Sequence, residues 1–496
     1  MKLSKLFERS DYKILQGSLD REITGISLNT KQVADGNLFI CIKGARFDSH
    51  SCLQEIADQG AAAIVVERPL AQCGPLDADV TVIQTASTRI AEAQIEAAWY
   101  GHPADQLTTI GITGSKGKTT TTHMLAGILR CAGRKVGVIG TNGAEIGDEI
   151  HELANTTPSA DEVQMYLREM VDKGMDTAVI ECSSQGLKQY RVGGFQFDCG
   201  IFMNISEGDH IGPNEHPDFA DYLRCKGLLI KNSKQGFVNQ DDPRTAEMLQ
   251  DIDTPVINFG RTPKADYYIK DTRKTFQNGM PGHTFTVGGR LEDTFYVNLP
   301  GEFNVDNALA AIAAADYLKV PVQAMKDGLA HLSIKGRFDL VYKSDDLTVC
   351  VDFAHNGLST RNHLEAVREY HPKRIVCVFG ADGNRSKDRR YEMGEASGRL
   401  ADFSIITAGH NRWETFDAIA DDILVGMHKT DGRYIVIPDR KKAIRYAIEH
   451  RQPGDFITIL GLGHESYQEE NGVKYPYSDI ETVKELTREL IPEKKD

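Results

Sequence analysis

The stretch Thr113-Gly114-Ser115-Lys116-Gly117-Lys118-Thr119-Thr120 constrains this chain more than any other. A short apolar segment, 107–112, precedes it, and 121–131 has the pattern of a helix. A strand, a glycine loop ending in Lys-Thr and a following helix make a cradle for nucleotide phosphates. Backbone N–H groups and the helix N-terminus face the anion, the lysine neutralises charge, and the threonine hydroxyl can hold Mg²⁺. The strict eight-residue pattern wants glycine where Ile112 stands, so this is a P-loop variant. The bland alternative is a structural turn, against which the flanking strand and helix weigh.

Composition sets bounds. A chain of 496 residues suggests about three domains. Its apolar content of 41% and charged content of 26% are those of a soluble globular protein. A net charge of −14 argues against a nucleic-acid or anionic-membrane partner, although a local basic pocket stays compatible with it. The nine cysteines are dispersed, without a Cys-x-x-Cys pair or zinc spacing, as expected of reduced thiols in a cytoplasm. The N-terminus 1–9 lacks a long apolar core and carries the early charges Lys2, Lys5, Glu8 and Arg9, so no signal peptide is expected, and no window approaches a membrane-spanning apolar run. A cytoplasmic monomer is expected.

Three units follow along the chain. Residues 1–103 hold two buried strands, 38–42 and 63–66, and a helix at 91–100, closed by the breaker Gly101-His102-Pro103. Residues 104–335 alternate apolar strands (107–112, 136–139, 177–181, 199–204) with helices, the pattern of a mostly parallel, helix-covered sheet. An alanine-rich helix, 307–318, lies near its end. Residues 336–496 repeat the alternation with strands at 349–352, 374–379, 403–407 and 456–460, as in a smaller α/β domain of nucleotide-binding type. The charged tail 492–496 is expected to fray.

Polar clusters sit where these strands end, the side on which open α/β sheets bind ligands. Glu181-Cys182-Ser183-Ser184 offers a carboxylate for Mg²⁺, or equally an N-cap cluster for the next helix. Asn204 and Asp209-His210 follow another strand, and a lone histidine is more often structural than a ligand. Asn155-Thr156-Thr157-Pro158 is either a binding loop or the cap of the following helix. In the third unit, Asp352 and His355 close a strand, and Gly461-Leu462-Gly463-His464-Glu465 closes another. The loop after 379 carries Arg385, Lys387, Arg389 and Arg390, suited to phosphate or carboxylate recognition, or else a solvated basic loop.

Taken in order, these motifs resemble those of the Mur ligases, which form amide bonds in peptidoglycan precursors at the expense of ATP. The resemblance covers nearly the whole chain. It implies an α/β protein of three domains: a UDP-substrate domain (1–103), a central ATP-binding P-loop sheet (104–335) and a C-terminal Rossmann-like domain that binds the amino acid (336–496). It assigns Gly114, Ser115, Lys116, Gly117, Lys118, Thr119 and Thr120 to the phosphates, and Asn304, Asn307, Arg337, Asp352 and Lys387 to further ATP contacts. Arg337 is expected at the hinge into the third unit. Catalytic residues are Lys118, Glu181, His210 and Lys226; Mg²⁺ ligands are Thr119, Glu181, His210 and Lys226, the last as a CO₂-derived carbamate. Without the family motif, Lys226 would read as a surface helix lysine.

The first unit resembles that of the E-type branch, which adds the third residue of the stem peptide. Leu28, Thr30, Ala45, Arg46 and Phe47 fall on its UDP positions, and Asn155, Thr156, Thr157, Ser183, Gln189 and Arg191 on those holding the muramoyl-dipeptide. The branch implies UDP-N-acetylmuramoyl-L-alanyl-D-glutamate and a diamino acid as substrates, read by Arg390, Arg412 and Glu465. Diaminopimelate enzymes carry Asp-Asn-Pro-Arg where this chain has Gly409-His410-Asn411-Arg412. The run 209–217 and Ala354-His355-Asn356-Gly357 look more like lysine-type ligases, whereas Gly463-His464-Glu465 looks more like the diaminopimelate type. L-lysine is favoured, meso-diaminopimelate next, with a paralogue using another amine also open. Rivals are a folylpolyglutamate synthase, which lacks the uridine-type first unit, a P-loop kinase without ligation, and a non-catalytic binding protein on the same scaffold.

Overall fold

Most apolar runs named from the sequence fold as strands within a few residues of the expected bounds, for example Ala63–Val66, Thr108–Thr113, Thr177–Glu181 and Arg374–Phe379. The computed structural model describes residues 1–44, 47–77, 79–207, 210–212, 215–277 and 280–491. Ala45, Arg46, Asp209, Pro213, Asn214 and the tail 492–496 lie outside the described residues. The chain divides into two compact units. One comprises Met1–Ile269, Gly288–Leu291 and Leu309–Gly328, the other Lys270–Val287, Glu292–Ala308 and Leu329–Asp496.

The first unit holds a five-stranded sheet and most strands of an eleven-stranded one. In the smaller, the spatial order is Lys13–Gln16, Thr81–Gln84, Ala63–Val66, Asn37–Ile40, Gly25–Ser27, parallel except for the first strand. Its middle strands are buried on both faces. Leu3, Leu6 and Ile95 pack with one side, Leu53 and Ile56 with the other, which accounts for their unbroken apolar runs. In the larger sheet, Thr108–Thr113 lies between Phe197–Phe202 and Thr177–Glu181, with Val136–Gly140 beyond the latter, all parallel. The chain leaves the first of these strands to build neighbours on either side of it. The C-terminal end of Thr108–Thr113 is therefore the switch point where such sheets bind ligands.

The sheet of the second unit runs Asp339–Lys343, Leu347–Asp352, Asp455–Leu460, Arg374–Phe379, Phe403–Ile406, Tyr434–Val436, again parallel but for the first strand. Leu364, Met393 and Ile423 form one core with this sheet, Ile444, Ile448 and Val483 another, so the sheet is doubly wound. Arg440 and Asp479 form a bidentate pair (Nε–Oδ1 2.8 Å, Nη2–Oδ2 2.7 Å), both side chains fully buried. Arg440 also donates to the carbonyl of Leu460, which fixes that strand end against two helices. Burial works against the Arg440 charge, and Asp479 outweighs it, holding the guanidinium above its ordinary pKa. No helix among the described residues is long and apolar enough to cross a membrane.

Helix Thr88–Trp99 of the first unit buries two carboxyl groups, Glu92 and Glu96. Burial, opposed by Arg89, pushes Glu92 up to about 7. Burial, aided by Asp161 and Glu92, pushes Glu96 up to about 8. The folded state thus holds more protons than the unfolded chain from the ordinary glutamate range up to these values, and stability falls as pH rises through that window. Glu96→Gln is expected to raise the thermal midpoint at pH 9 relative to the parent, by an effect on the order of 1 kcal/mol or more, and to change little at pH 5. Melting curves at the two pH values check this; an equal shift at both would refute it.

Candidate active site

The P-loop is built by sterics first. Gly117 adopts φ 83° and precedes helix Lys118–Cys131, which therefore starts three residues before the 121 expected from periodicity. A Cβ on Gly114 would lie 2.8 Å from the Met203 Cβ, so the turn closes only around glycine. Asn204 then staples the loop. Its Oδ1 accepts the Lys116 N–H (2.9 Å), its Nδ2 donates to the Lys116 carbonyl (3.2 Å), and its own carbonyl accepts the Ser115 N–H (2.9 Å). Lys118 Nζ donates to the carbonyls of Gly114 (2.8 Å) and Ser115 (3.3 Å), which holds the ammonium over the loop. Thr120 follows, half-buried, on the first turn of the helix.

Glu181 ends the adjacent strand and is fully buried. Thr119 Oγ1 donates to Glu181 Oε2 (2.9 Å); the Thr141 N–H donates to Oε1 (3.0 Å) and the Thr141 hydroxyl to Oε2 (3.1 Å). A Cβ on Gly140 would meet Glu181 Oε1 at 2.3 Å, so the strand beside it must be bare there. The Glu181 carboxylate faces the P-loop threonine, and the same cluster also caps the next helix, through the Ser183 side chain, which accepts the Gly186 N–H. Thr141 was not singled out from the sequence. It lies directly after strand Val136–Gly140, so the strand-end rule applied there would have found it.

The loop 155–157 joins the same network. Thr156 Oγ1 lies 3.2 Å from Thr141 Oγ1. Thr157 donates to the Glu181 carbonyl (2.7 Å) and accepts the Ser183 N–H (2.9 Å). Arg191 Nη1 donates to the Thr157 carbonyl (2.8 Å), and its Nε and Nη2 bond Gln189 Oε1 (3.2 and 3.0 Å). Asn155 is exposed at the rim. His123, also unforeseen, braces the P-loop helix: its ring bridges the Thr119 carbonyl (2.8 Å) and Glu145 Oε1 (2.9 Å). Burial opposes the His123 charge, but Glu145 wins and raises its pKa; the carboxyl of Glu145, despite its own burial, is held down to about 2 by His123 and Arg130.

Lys226 corrects the expectation formed without the family motif. It is no surface lysine but 1% exposed, on helix Phe219–Lys231, with Nζ 4.8 Å from the Tyr222 ring centroid. The Tyr222 hydroxyl lies 2.7 Å from the P-loop Ser115 Oγ, and the His210 ring 5.8 Å from the Tyr222 ring. The buried Cys182 thiol, raised far above its ordinary value chiefly by desolvation, feels the charges of Glu181, Lys118 and Lys226 together. Thr119, Glu181, Lys118 and Lys226 therefore share one neighbourhood. Leu28 packs against the core of the small sheet, Thr30 is half-buried and Phe47 is exposed.

The remaining candidates lie in the second unit. Asn304 and Asn307 are bonded to each other (3.1 Å) near the start of helix Phe303–Tyr317, with Asn304 also donating to the Pro300 carbonyl (2.8 Å). Gly336 has φ 68°, and a Cβ there would meet the His464 nitrogen at 2.3 Å; any other residue would push apart the two loops that carry Arg337 and Glu465. The Arg337 guanidinium stacks on Phe353 (4.9 Å). Asp352 accepts the N–H groups of Phe338 (2.7 Å) and Ala354 (2.8 Å). Burial works to raise its pKa, and His363, Arg337 and the backbone donor prevail, holding it low. Lys387 is largely exposed and pairs with Asp422 at 3.1 Å.

Arg390 departs from its expected placement. Rather than presenting a free guanidinium, it is 1% exposed, bonded to Glu414 (2.7 and 2.8 Å), Asp422 (2.8 Å) and the Asp382 carbonyl (3.0 Å). The reason is local. A buried cation requires paired anions, and the helix starting at Phe416 and the loop before it supply them. Arg390 in turn holds the Glu414 carboxyl down to about 2. Arg412 is paired with Asp382 (3.1 Å) and Glu465 with His410 (2.9 Å).

Comparison with known proteins agrees with this architecture. Residues 112–315 match the Mur ligase middle domain, and residues 336–463 the glutamate ligase domain of Mur ligases. A UDP-N-acetylmuramoyl-L-alanyl-D-glutamate–2,6-diaminopimelate ligase of Caldanaerobacter subterraneus subsp. tengcongensis is 36% identical over 99% of both chains. One of the same name from Aquifex aeolicus is 38% identical over 94% of both. A solved structure of such a ligase superposes with a TM-score of 0.69 at 25% identity, covering 99% of each chain. The P-loop, its partner carboxylate and full-length relatives at this identity lead to one conclusion: the chain belongs to the Mur ligase family, in its E-type branch, and is an acid–amino-acid ligase.

Proposed function

We propose that this protein uses ATP to join a diamino acid, L-lysine by preference, to the D-glutamyl carboxylate of UDP-N-acetylmuramoyl-L-alanyl-D-glutamate, building a peptidoglycan precursor. One observation carries the reading. A continuous set of hydrogen bonds runs from the P-loop Thr119 through Glu181 and Thr157 to Arg191. It puts the residues that suit a nucleotide and those that suit an acidic peptide in one network. A cytoplasmic monomer that needs neither nucleic acid nor membrane fits the acidic composition.

A carboxylate is a poor electrophile, so the γ-phosphoryl group passes to it, forming an acyl phosphate and ADP. The amine then adds to the acyl carbon, phosphate leaves with its bonding pair, and the amine gives up a proton. The protein's work is to position and to stabilise charge. Lys118 and the loop N–H groups oppose the phosphate charge, and Arg191 lies next to the loop assigned to the dipeptide. The donor set fits Mg²⁺, because the Thr119 hydroxyl and the Glu181 carboxylate are hard oxygen ligands within 2.9 Å of each other. Thr119, Glu181 and His210 would hold the ion, which supplies countercharge to the phosphates.

Lys226 would complete that set as a carbamate. Its amine and CO₂ give N–C bond formation with release of one proton, and the product is an anionic oxygen ligand where a buried ammonium would repel the metal. Lys226→Ala is expected to lower turnover by roughly a hundredfold or more while ATP binding persists. Steady-state assay with nucleotide titration checks this, and parent-like turnover would remove the carbamate from the reaction.

Two observations favour L-lysine. The Asp-Asn-Pro-Arg run of diaminopimelate enzymes is replaced by Gly409-His410-Asn411-Arg412, and the Arg412 charge is already met by Asp382. An arginine so neutralised has less to offer a second carboxylate. The names of the relatives favour 2,6-diaminopimelate as the second reading. With ATP, Mg²⁺, the UDP-dipeptide and equimolar L-lysine and meso-diaminopimelate, product mass is expected to increase by the L-lysine increment. A diaminopimelate increment would reverse the preference, and ADP formation with neither amine joined would exclude ligation.

A further inference from the structure

We propose that His410 is a positioning residue for Glu465, and through it sets how tightly the enzyme holds the amino acid. The inference rests on the reading above that Glu465 meets the distal ammonium of the diamino acid. His410 is 4% exposed and lies on the loop after strand Phe403–Ile406. Its Nδ1 accepts the backbone N–H of Glu469 (3.1 Å), so the ring proton of the neutral imidazole must sit on Nε2. That Nε2–H donates to Glu465 Oε2 (2.9 Å). The second Glu465 oxygen makes no hydrogen bond among the described residues. The imidazole thus pins one carboxylate oxygen and leaves the other to a ligand.

The surroundings hold the imidazole in turn. Its ring packs on Tyr467 (4.9 Å between centroids), and its carbonyl accepts the Gly383 N–H (2.8 Å). The Arg412 N–H donates to the Glu469 carbonyl (3.0 Å), and Gln468 Nε2 reaches the carbonyls of Ala408 (3.4 Å) and Gly409 (3.3 Å). The hairpin Tyr467–Glu470 and Val473–Pro476 is thereby tied to the loop 408–412. Gly409 is required at this junction, since a Cβ would stand 2.9 Å from the Ala381 carbonyl oxygen. Only a side chain with an acceptor on one edge and a donor on the other can serve both Glu469 and Glu465, and a neutral histidine does so with a rigid ring. Asparagine is too short to span both.

The test uses the full-length enzyme and whichever of L-lysine and meso-diaminopimelate the parent takes. His410→Phe keeps a ring against Tyr467 and removes both polar edges. It is expected to raise the KM for the amino acid roughly tenfold or more while leaving the KM for ATP and for the UDP-dipeptide within about twofold. His410→Gln restores a donor near the Nε2 position and is expected to recover much of that loss. Glu465→Gln separates this inference from the reading beneath it. If Glu465→Gln raises the amino-acid KM and neither His410 variant does, the positioning role is wrong and the Glu465 assignment stands. If Glu465→Gln leaves that KM unchanged, the assignment itself fails. An equal rise of all three KM values in His410→Phe, without recovery in His410→Gln, would mark a merely structural residue and overturn the proposal.

Discussion

A fully buried carboxylate facing a hydroxyl of the P-loop is the constraint on which this molecule turns. An ionised group out of water costs free energy unless donors surround it. Glu181 has three such donors, from Thr119 and Thr141. They come from the first turn of the P-loop helix and from the end of the neighbouring strand Val136–Gly140, so the carboxylate can exist only where loop and sheet deliver them together. The bare Cα of Gly140 is part of the same solution, because a side chain there would occupy the space of the carboxylate. From this point the network spreads to the loop 155–157 and to Arg191, and the region assigned to the acidic peptide inherits its geometry from the sheet.

The second unit applies the same physics differently. Its doubly wound sheet also gathers polar side chains at strand ends, but several of the charges there are satisfied within the protein. Arg440 and Asp479 are fully buried partners that lock two helices to the end of a strand. Arg390 is held by Glu414 and Asp422. A basic loop sequence thus divides by depth: Lys387 is mostly exposed, whereas Arg390 becomes part of the core. What remains near the expected amino-acid site is a pair of largely buried acid–base contacts, Arg412 with Asp382 and Glu465 with His410.

The architecture and most of the larger sheet were legible in the sequence, because parallel strands buried on both faces give unbroken apolar runs such as Ile110–Ile112 and Val136–Val138. The short edge strands Lys13–Gln16 and Gly25–Ser27 were not, since each is half-exposed and carries no run long enough to stand out. The P-loop helix was placed three residues late because the polar Lys118-Thr119-Thr120 opening lacks apolar periodicity; its start is set by Gly117 and the phosphate loop instead. Of the residues in the hydrogen-bond network around the P-loop, Thr119, Glu181 and Thr157 are singled out by motif order; Thr141, reachable by the strand-end rule, and His123, which carries no motif, are not.

Residue identity by itself determined the nucleotide-type loop, the order of the motifs and the family they belong to, because those depend on local backbone chemistry and on which atoms a short segment can present. Burial and partnership were decided only by the tertiary structure. Lys226 reads as a helix-surface lysine until the fold closes Tyr222 and the P-loop over it. Arg390 reads as a free cation until two carboxylates some 24 and 32 residues away enclose it. A side chain's charge is written in the sequence, but its dielectric surroundings and its counter-ions come from segments far along the chain, and these settle whether it supports the core or faces a substrate.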